Sequence, residues 1–373
     1  MSAIRVLVLT WDFPPARGGI QIWMYQLARR LPNADVTVLA PSALGSRAFD
    51  QGSGVQVRRV GGAGFGPVLW LWRLSLAVLR ACVSRKPDVV VCGHVVVAPA
   101  ALLARALFGV PCVVFAYAYE IRRRRRRAVV GRLLRSADAV LAISAFTRSR
   151  VLEHRVAPER IHMLHPGVDP DRFTPNTNRI DGTQPTLLSV ARLTELYKGH
   201  DTAIRALPLI KAKCGDVRYV LAGDGPLRDY LTRVARSVGV EQNVVFLGDV
   251  ADESLGDLYR SSDVVVLLSR ESTSEGGAEG FGIVCLEAAA CGKPVVAGRS
   301  GGLPDAVSDG ETGLLVDPQD LGAVAEAIVA LLEDGALARR LGAAGRRRVL
   351  ERFTWDRMAA EARRILGQVT RRP

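Results

Sequence analysis

The segment Glu279-Gly-Phe-Gly-Ile-Val-Cys-Leu-Glu287 decides how this chain is read. Two carboxylates stand eight positions apart around a glycine-bearing turn. Before the turn runs an apolar strand, Asp263-Val-Val-Val-Leu-Leu-Ser269, and after it residues 283–291 read as a buried helix. A helix opening with Phe281, Gly282, Ile283 and Val284 leaves its first N–H groups free to face an anion, and its dipole favours negative charge there. Gly282, lacking a Cβ, lets a ligand approach the backbone. Glu287 lies about 7.5 Å further along the helix axis. A phosphate at the helix mouth would put a ribose diol beside Glu287 and leave Glu279 facing whatever lies beyond the phosphates, which suits a sugar nucleotide. A solvated loop glutamate followed by a helix glutamate is the plainer reading, and the surrounding motifs must decide between the two.

The 373 residues suffice for two domains with full cores, and 49 % hydrophobic with 23 % charged residues is a globular composition. The net charge of +13 is uneven. Residues 1–180 carry 26 Lys/Arg against 10 Asp/Glu, a net +16, whereas residues 181–373 carry 24 against 27, a net −3. This asymmetry predicts an anionic partner for the first half: a phospholipid surface, a phosphorylated acceptor or nucleic acid. The six cysteines lie in or beside apolar runs without a Cys-x-x-Cys pair and five of them read as core filler, so reduced, cytosolic usage is expected, with neither a disulfide frame nor a metal site. No signal peptide is read at the start. Residues 68–83 hold Arg73 and Arg80, and residues 89–107 hold His94, Pro99 and Arg105, so no transmembrane segment is expected.

Ile4–Leu9 reads as a buried strand, followed by a loop through Gly18 and Gly19 and a helix over 20–31. Strand, glycine loop and helix can hold a phosphate at the carboxyl edge of a parallel sheet, or simply make a tight turn. Further strands are predicted at 35–39, 55–59, 88–92, 112–116, 138–143 and 161–164. A second series is predicted at 186–190, 218–221, 244–247, 263–268, 294–297 and 313–316. Strands separated by helical patterns predict α/β domains with parallel sheets. Two in sequence predict a cleft between their facing carboxyl edges. Residues 165–185 read as a linker, and the chain closes with amphipathic helices at 323–332, 337–349 and 355–366.

Taken together, Asp12-Phe-Pro-Pro with Gly18-Gly19, Ala191-Arg-Leu with Lys198-Gly199, Gly223-Asp-Gly-Pro226, Glu279-Gly-Phe-Gly with Glu287, Ser300-Gly-Gly-Leu-Pro304 and Phe353-Thr-Trp355 form an ordered series. It resembles that of family-4 retaining glycosyltransferases along nearly the whole chain. The resemblance implies a GT-B fold of two Rossmann-like doubly wound domains facing a central cleft. Residues 1–175 would be the acceptor domain, 176–353 the nucleotide-sugar domain, and 354–373 a helix crossing back to the first. It implies donor contacts from Gly18, Gly19 and Gly223, and Arg192 and Lys198 on the diphosphate. Asp249 and Val250 would lie beside the base, Phe281, Gly282, Ile283 and Val284 would offer backbone donors, Glu287 would take the ribose and Glu279 the sugar. Two fixed cations can stabilise a departing nucleoside diphosphate without a metal or other cofactor. Family members retain anomeric configuration by front-face attack, in which Glu279 would orient the donor. Where the family often has His-Gly-x-Glu, this chain has Tyr117-Ala-Tyr119-Glu120. Tyr117 is then either a catalytic contact to the sugar, unable to change charge as imidazole does, or a half-buried tyrosine ending a strand.

Arg122, Arg123, Arg124, Arg125, Arg126 and Arg127 are consecutive, which no single packed helix face accommodates. A solvated loop or a site for anionic phospholipid follows, with Val129, Val130, Leu133 and Leu134 as an apolar face for shallow insertion. Nucleic acid is disfavoured, because no aromatic residues interleave and no RNP or KH pattern occurs. The first loop most resembles phosphatidylinositol mannosyltransferases. The resulting expectation is a cytoplasmic enzyme peripheral to the inner face of the cell membrane. It would move mannose from GDP-mannose to a lipid-linked acceptor such as phosphatidylinositol or its mannoside. The alternatives are a UDP-sugar enzyme acting on a soluble metabolite or polysaccharide precursor, and a non-catalytic nucleotide-sugar or nucleic-acid binding protein.

Overall fold

The computed structural model describes residues 3–62, 66–118, 127–175, 184–272 and 277–371. The chain divides into two compact units, one of Met1–Pro166 with Trp355–Pro373 and one of Gly167–Thr354.

The first unit holds a seven-stranded sheet: β1 (Ile4–Leu9), β2 (Ala34–Ser42), β3 (Gln56–Gly62), β4 (Val89–Cys92), β5 (Cys112–Ala116), β6 (Ala139–Ala142) and β7 (Ile161–Met163). Its order is β3-β2-β1-β4-β5-β6-β7, and every pairing is parallel. Parallel strands need crossovers, and those helices cover both sheet faces. That is why β4, β5 and β6 are buried at every position and show no alternation. The strand order reverses between β1 and β4, the place where such sheets open a ligand crevice at their carboxyl ends.

Helix Pro67–Arg85 packs through Trp70, Leu74, Val78 and Cys82, a stripe of period four buried in the sheet core. Its other side is largely uncovered: Val68 is 82 %, Trp72 59 % and Val83 76 % exposed. By length and composition this helix could cross a membrane, the one such helix among the described residues, but its inner stripe is part of the sheet core. Helix Trp355–Val369 lies on helix Gly19–Arg30, burying Trp355, Met358, Ile365, Leu366 and Val369, with an Arg30–Asp356 ion pair of 2.7 Å at its start.

The second unit holds β8 (Thr186–Val190), β9 (Arg218–Ala222), β10 (Val244–Gly248), β11 (Val264–Leu267), β12 (Val295–Gly298) and β13 (Leu314–Val316). They lie in the order β10-β9-β8-β11-β12-β13, again all parallel, with the reversal between β8 and β11. The division between units falls at 166 and not at 175, because the intervening residues are held by the second unit. The Val168 N–H donates to the Phe353 carbonyl at 2.8 Å, and Phe173 meets the ring of Tyr259 edge-on at 5.8 Å.

Candidate active site

At the reversal of the second sheet, the loops after β8 and β11 touch backbone to backbone. Gly199 has φ 76°, and a Cβ there would stand 2.0 Å from the Leu268 carbonyl oxygen. Only glycine permits that approach, which sets Lys198 against the loop that carries Glu279. Lys198 Nζ donates to Glu279 Oε2 at 2.6 Å, with Ser269 Oγ 3.4 Å from the same oxygen. The two charged side chains keep only 17 % and 15 % of their surface in solvent. Burial disfavours the Lys198 ammonium, but Glu279, Tyr197 and Glu195 outweigh burial and hold its pKa above the ordinary lysine value. Neighbouring His200 goes the other way, pushed down to about 4 by burial and by Lys198, so its ring is neutral at pH 7.

Helix Ile283–Ala290 begins at Gly282, whose φ is 96°. The Cys285 N–H turns back to the Gly282 carbonyl at 3.0 Å, while those of Ile283 and Val284 belong to the open first turn. The Phe281 side chain is buried against Phe353, 5.8 Å between ring centres, which anchors the turn. One turn further on, Glu287 is half-buried and accepts a 2.7 Å hydrogen bond from the Tyr259 hydroxyl. Burial raises the Glu287 pKa, and the Tyr259 hydrogen bond and Arg172 partly offset it.

The remaining predicted residues fall in several places. The Arg192 side chain is 73 % exposed and lies 3.7 Å from Glu195. A Cβ at Gly223 would come 2.0 Å from the Ala191 carbonyl oxygen, and its N–H donates to Gly248 at 2.9 Å. Gly223 therefore joins the ends of β8, β9 and β10, and Asp249 and Val250 follow directly from that junction. A surface cavity of about 640 Å³ opens elsewhere in this unit, between Pro175, Gly292 and helix Gly335–Arg352, and no candidate residue lines it. Among the described residues no three His, Cys, Asp or Glu side chains converge as metal ligands would.

In the first unit, Gly18 caps helix Gly19–Arg30 with an extended, positive φ, at the carboxyl end of β1. Tyr117, directly after β5, is buried: it stacks on Phe115 at 6.0 Å and meets Trp23 at 6.1 Å and His94 at 5.3 Å. His94 is the residue that sequence reasoning missed. It follows β4 at the strand-order reversal, pairs with Asp12, and shares that carboxylate with Gln21, whose Nε2 donates to it at 2.7 Å. A lone histidine after Val-Val-Val-Cys-Gly is the signal the sequence offers for it. Arg122 to Arg126, Tyr119 and Glu120 lie outside the described residues. Arg127 opens helix Arg127–Ser136 and reaches Glu153 at 3.8 Å. That helix does not offer the apolar insertion face expected of it: Val130 and Leu134 are core residues, and only Val129 is well exposed.

The profile of "Glycosyl transferases group 1" matches residues 171–348 and that of "Glycosyltransferase Family 4" residues 17–172. The GDP-mannose-dependent alpha-(1-6)-phosphatidylinositol monomannoside mannosyltransferase of Mycobacterium tuberculosis is 35 % identical over 374 residues, spanning 96 % of each chain. A glycogen synthase of the same organism is 31 % identical over 398 residues, 97 % of this chain and 94 % of that one. Among solved structures, the Anabaena protein HepE in complex with UDP and glucose superposes with a TM-score of 0.81 at 20 % identity, covering 98 % of this chain and 100 % of that one. The chain belongs to glycosyltransferase family 4 and is a glycosyltransferase of the GT-B fold.

Proposed function

We propose that this enzyme transfers mannose, with retention of configuration, from GDP-mannose to a hydroxyl of a lipid-linked acceptor such as phosphatidylinositol or its mannoside. Glu279 binds the sugar hydroxyls, the N–H groups of Ile283 and Val284 take the diphosphate, and Glu287 takes the ribose. Lys198 is kept charged by Glu279 at 2.6 Å until donor arrives, then serves the leaving group, joined by Arg192 from solvent. The sugar C1–O bond breaks with its electron pair passing to the β-phosphate oxygen. The acceptor oxygen bonds to C1 on the same face and gives its proton to that phosphate oxygen, so no enzyme nucleophile and no metal is required. Charge growing on the phosphate in a site already holding a half-buried ammonium is the kind of interaction that is stronger in the transition state than before it.

The observation that carries the lipid reading is the outer face of helix Pro67–Arg85. Val68, Leu69, Trp72 and Val83 stand exposed there beside Arg80 in the cationic half of the chain. A membrane-surface helix combines an apolar face with basic residues in this way, and anionic headgroups supply the complementary charge. The name of the mycobacterial relative agrees with this choice of donor and acceptor. The glycogen synthase relative favours the second reading, a nucleotide-glucose donor and a carbohydrate acceptor. Incubating the enzyme with GDP-mannose, UDP-glucose or ADP-glucose, and with phosphatidylinositol vesicles or oligosaccharides, separates them by mass spectrometry of the products. Mannosylated lipid is expected. Product only from a glucose donor on oligosaccharide would replace the first reading by the second. Lys198→Ala and Glu279→Gln should each lower kcat by about 100-fold or more.

A further inference from the structure

Tyr259 has no part in the donor contacts proposed above, yet its environment is that of a working group. It lies on helix Leu255–Ser261, is fully buried, and has Phe173 against its ring edge. Its single polar atom is aimed at Glu287, 2.7 Å from Oε2. A buried phenol is a poor place for charge, and burial together with Glu287 keeps Tyr259 protonated, so this hydroxyl donates and the carboxylate accepts. A glutamate on a short helix can otherwise rotate its carboxylate freely about the last side-chain bond. One fixed donor on Oε2 removes that rotation and leaves Oε1 to accept from whatever reaches the helix. The phenol also satisfies one of the lone-pair sites of a carboxylate that burial makes costly to ionise.

We propose that Tyr259 is a positioning residue for the donor nucleotide: by holding one oxygen of Glu287 it turns the other toward the ribose diol, and so sets the preference for ribonucleotides over nucleotides lacking those hydroxyls. This rests on the reading of Glu287 as the ribose ligand. A purely structural tyrosine would fill the space under the helix equally well without its oxygen, and its loss would weaken all nucleotides alike.

The test is calorimetric, on the full chain, with GDP and 2′,3′-dideoxy-GDP, and with UDP and its dideoxy counterpart in parallel so that the base does not decide the outcome. Wild type should favour the ribonucleotide by about tenfold or more, the size of a hydrogen bond to a charged group. Tyr259→Phe should cut that ratio by about fivefold while leaving affinity for the dideoxy compound nearly unchanged. In a Glu287→Ala background, which removes the acceptor altogether, the same substitution should have almost no effect on the ratio, since the two act through one contact. A folded Tyr259→Phe protein with the wild-type ratio overturns the proposal and leaves the ribose reading standing. If wild type itself shows no preference, Glu287 is not at the ribose and both readings fall. Should Tyr259→Phe not fold, 3-fluorotyrosine at position 259 keeps ring and hydroxyl and donates more strongly, so the ratio should rise; an unchanged ratio overturns the proposal.

Discussion

Among single residues, Glu287 is the most exposed to a test of physical reasoning. Its folded pKa is raised above the ordinary 4.5 by burial. An acid shifted upward stabilises the fold through its protonated form, so that contribution is complete below pH 4.5 and is lost as pH rises through the folded pKa. Glu287→Gln carries no such charge and can still accept from Tyr259. Its melting temperature should match wild type at pH 4 and move above it as pH is raised to 8. A difference that does not depend on pH would mean that the carboxylate is not desolvated. The residue was legible in sequence because it stands at a fixed distance from Glu279, but its partner was not. Tyr259 lies 28 positions away, and nothing local marks a tyrosine in Leu-Tyr-Arg-Ser as a second contact to that glutamate.

At the scale of elements, helix Pro67–Arg85 makes opposite predictions for its two sides. Leu74 is fully buried against the sheet, so Leu74→Ala should cost about 2–5 kcal/mol, read as a lower denaturation midpoint. Trp72→Ser with Val83→Ser should leave stability within about 1 kcal/mol and should lower partition onto phosphatidylinositol vesicles by about tenfold, since each side chain forfeits apolar burial. Unchanged partition would remove the membrane role of this face. Apolar runs mark the strand positions closely, and three of the runs that begin with aspartate are offset by one residue. Strands expected to start at Asp88, Asp138 and Asp263 begin one residue later. Each of these carboxylates instead accepts an N–H from the beginning of the neighbouring strand, that of Arg5, Cys112 or Thr186, each at 2.8 Å. An apolar run shows that a strand exists; the pairing of its first residue depends on which strand lies beside it.

For the whole molecule the prediction concerns the chain's last helix. Trp355, Met358, Ile365, Leu366 and Val369 are buried in the unit formed by Met1–Pro166 and Trp355–Pro373. Ending the chain at residue 354 uncovers the face of helix Gly19–Arg30 on which they pack. At about 1.5–3 kcal/mol for each large side chain, the loss exceeds about 5 kcal/mol before any relaxation. Calorimetry should show a much lower melting transition for the first unit with that of Gly167–Thr354 nearly unmoved. If both transitions stay in place, the helix is dispensable to that unit. A shift of both would mean that the two units unfold together.

The sequence alone determined that this is a glycosyltransferase with two parallel α/β sheets. Its strands are buried on both faces and so write themselves as apolar runs, and its motifs are local turns where backbone must approach backbone. Tertiary structure decided what depends on residues far apart. It paired Lys198 with Glu279, Tyr259 with Glu287 and His94 with Asp12, turned Arg192 into solvent, and took Val130 and Leu134 into the core. Those outcomes follow from which strands become neighbours at each reversal of order, and a one-dimensional pattern carries no record of that adjacency.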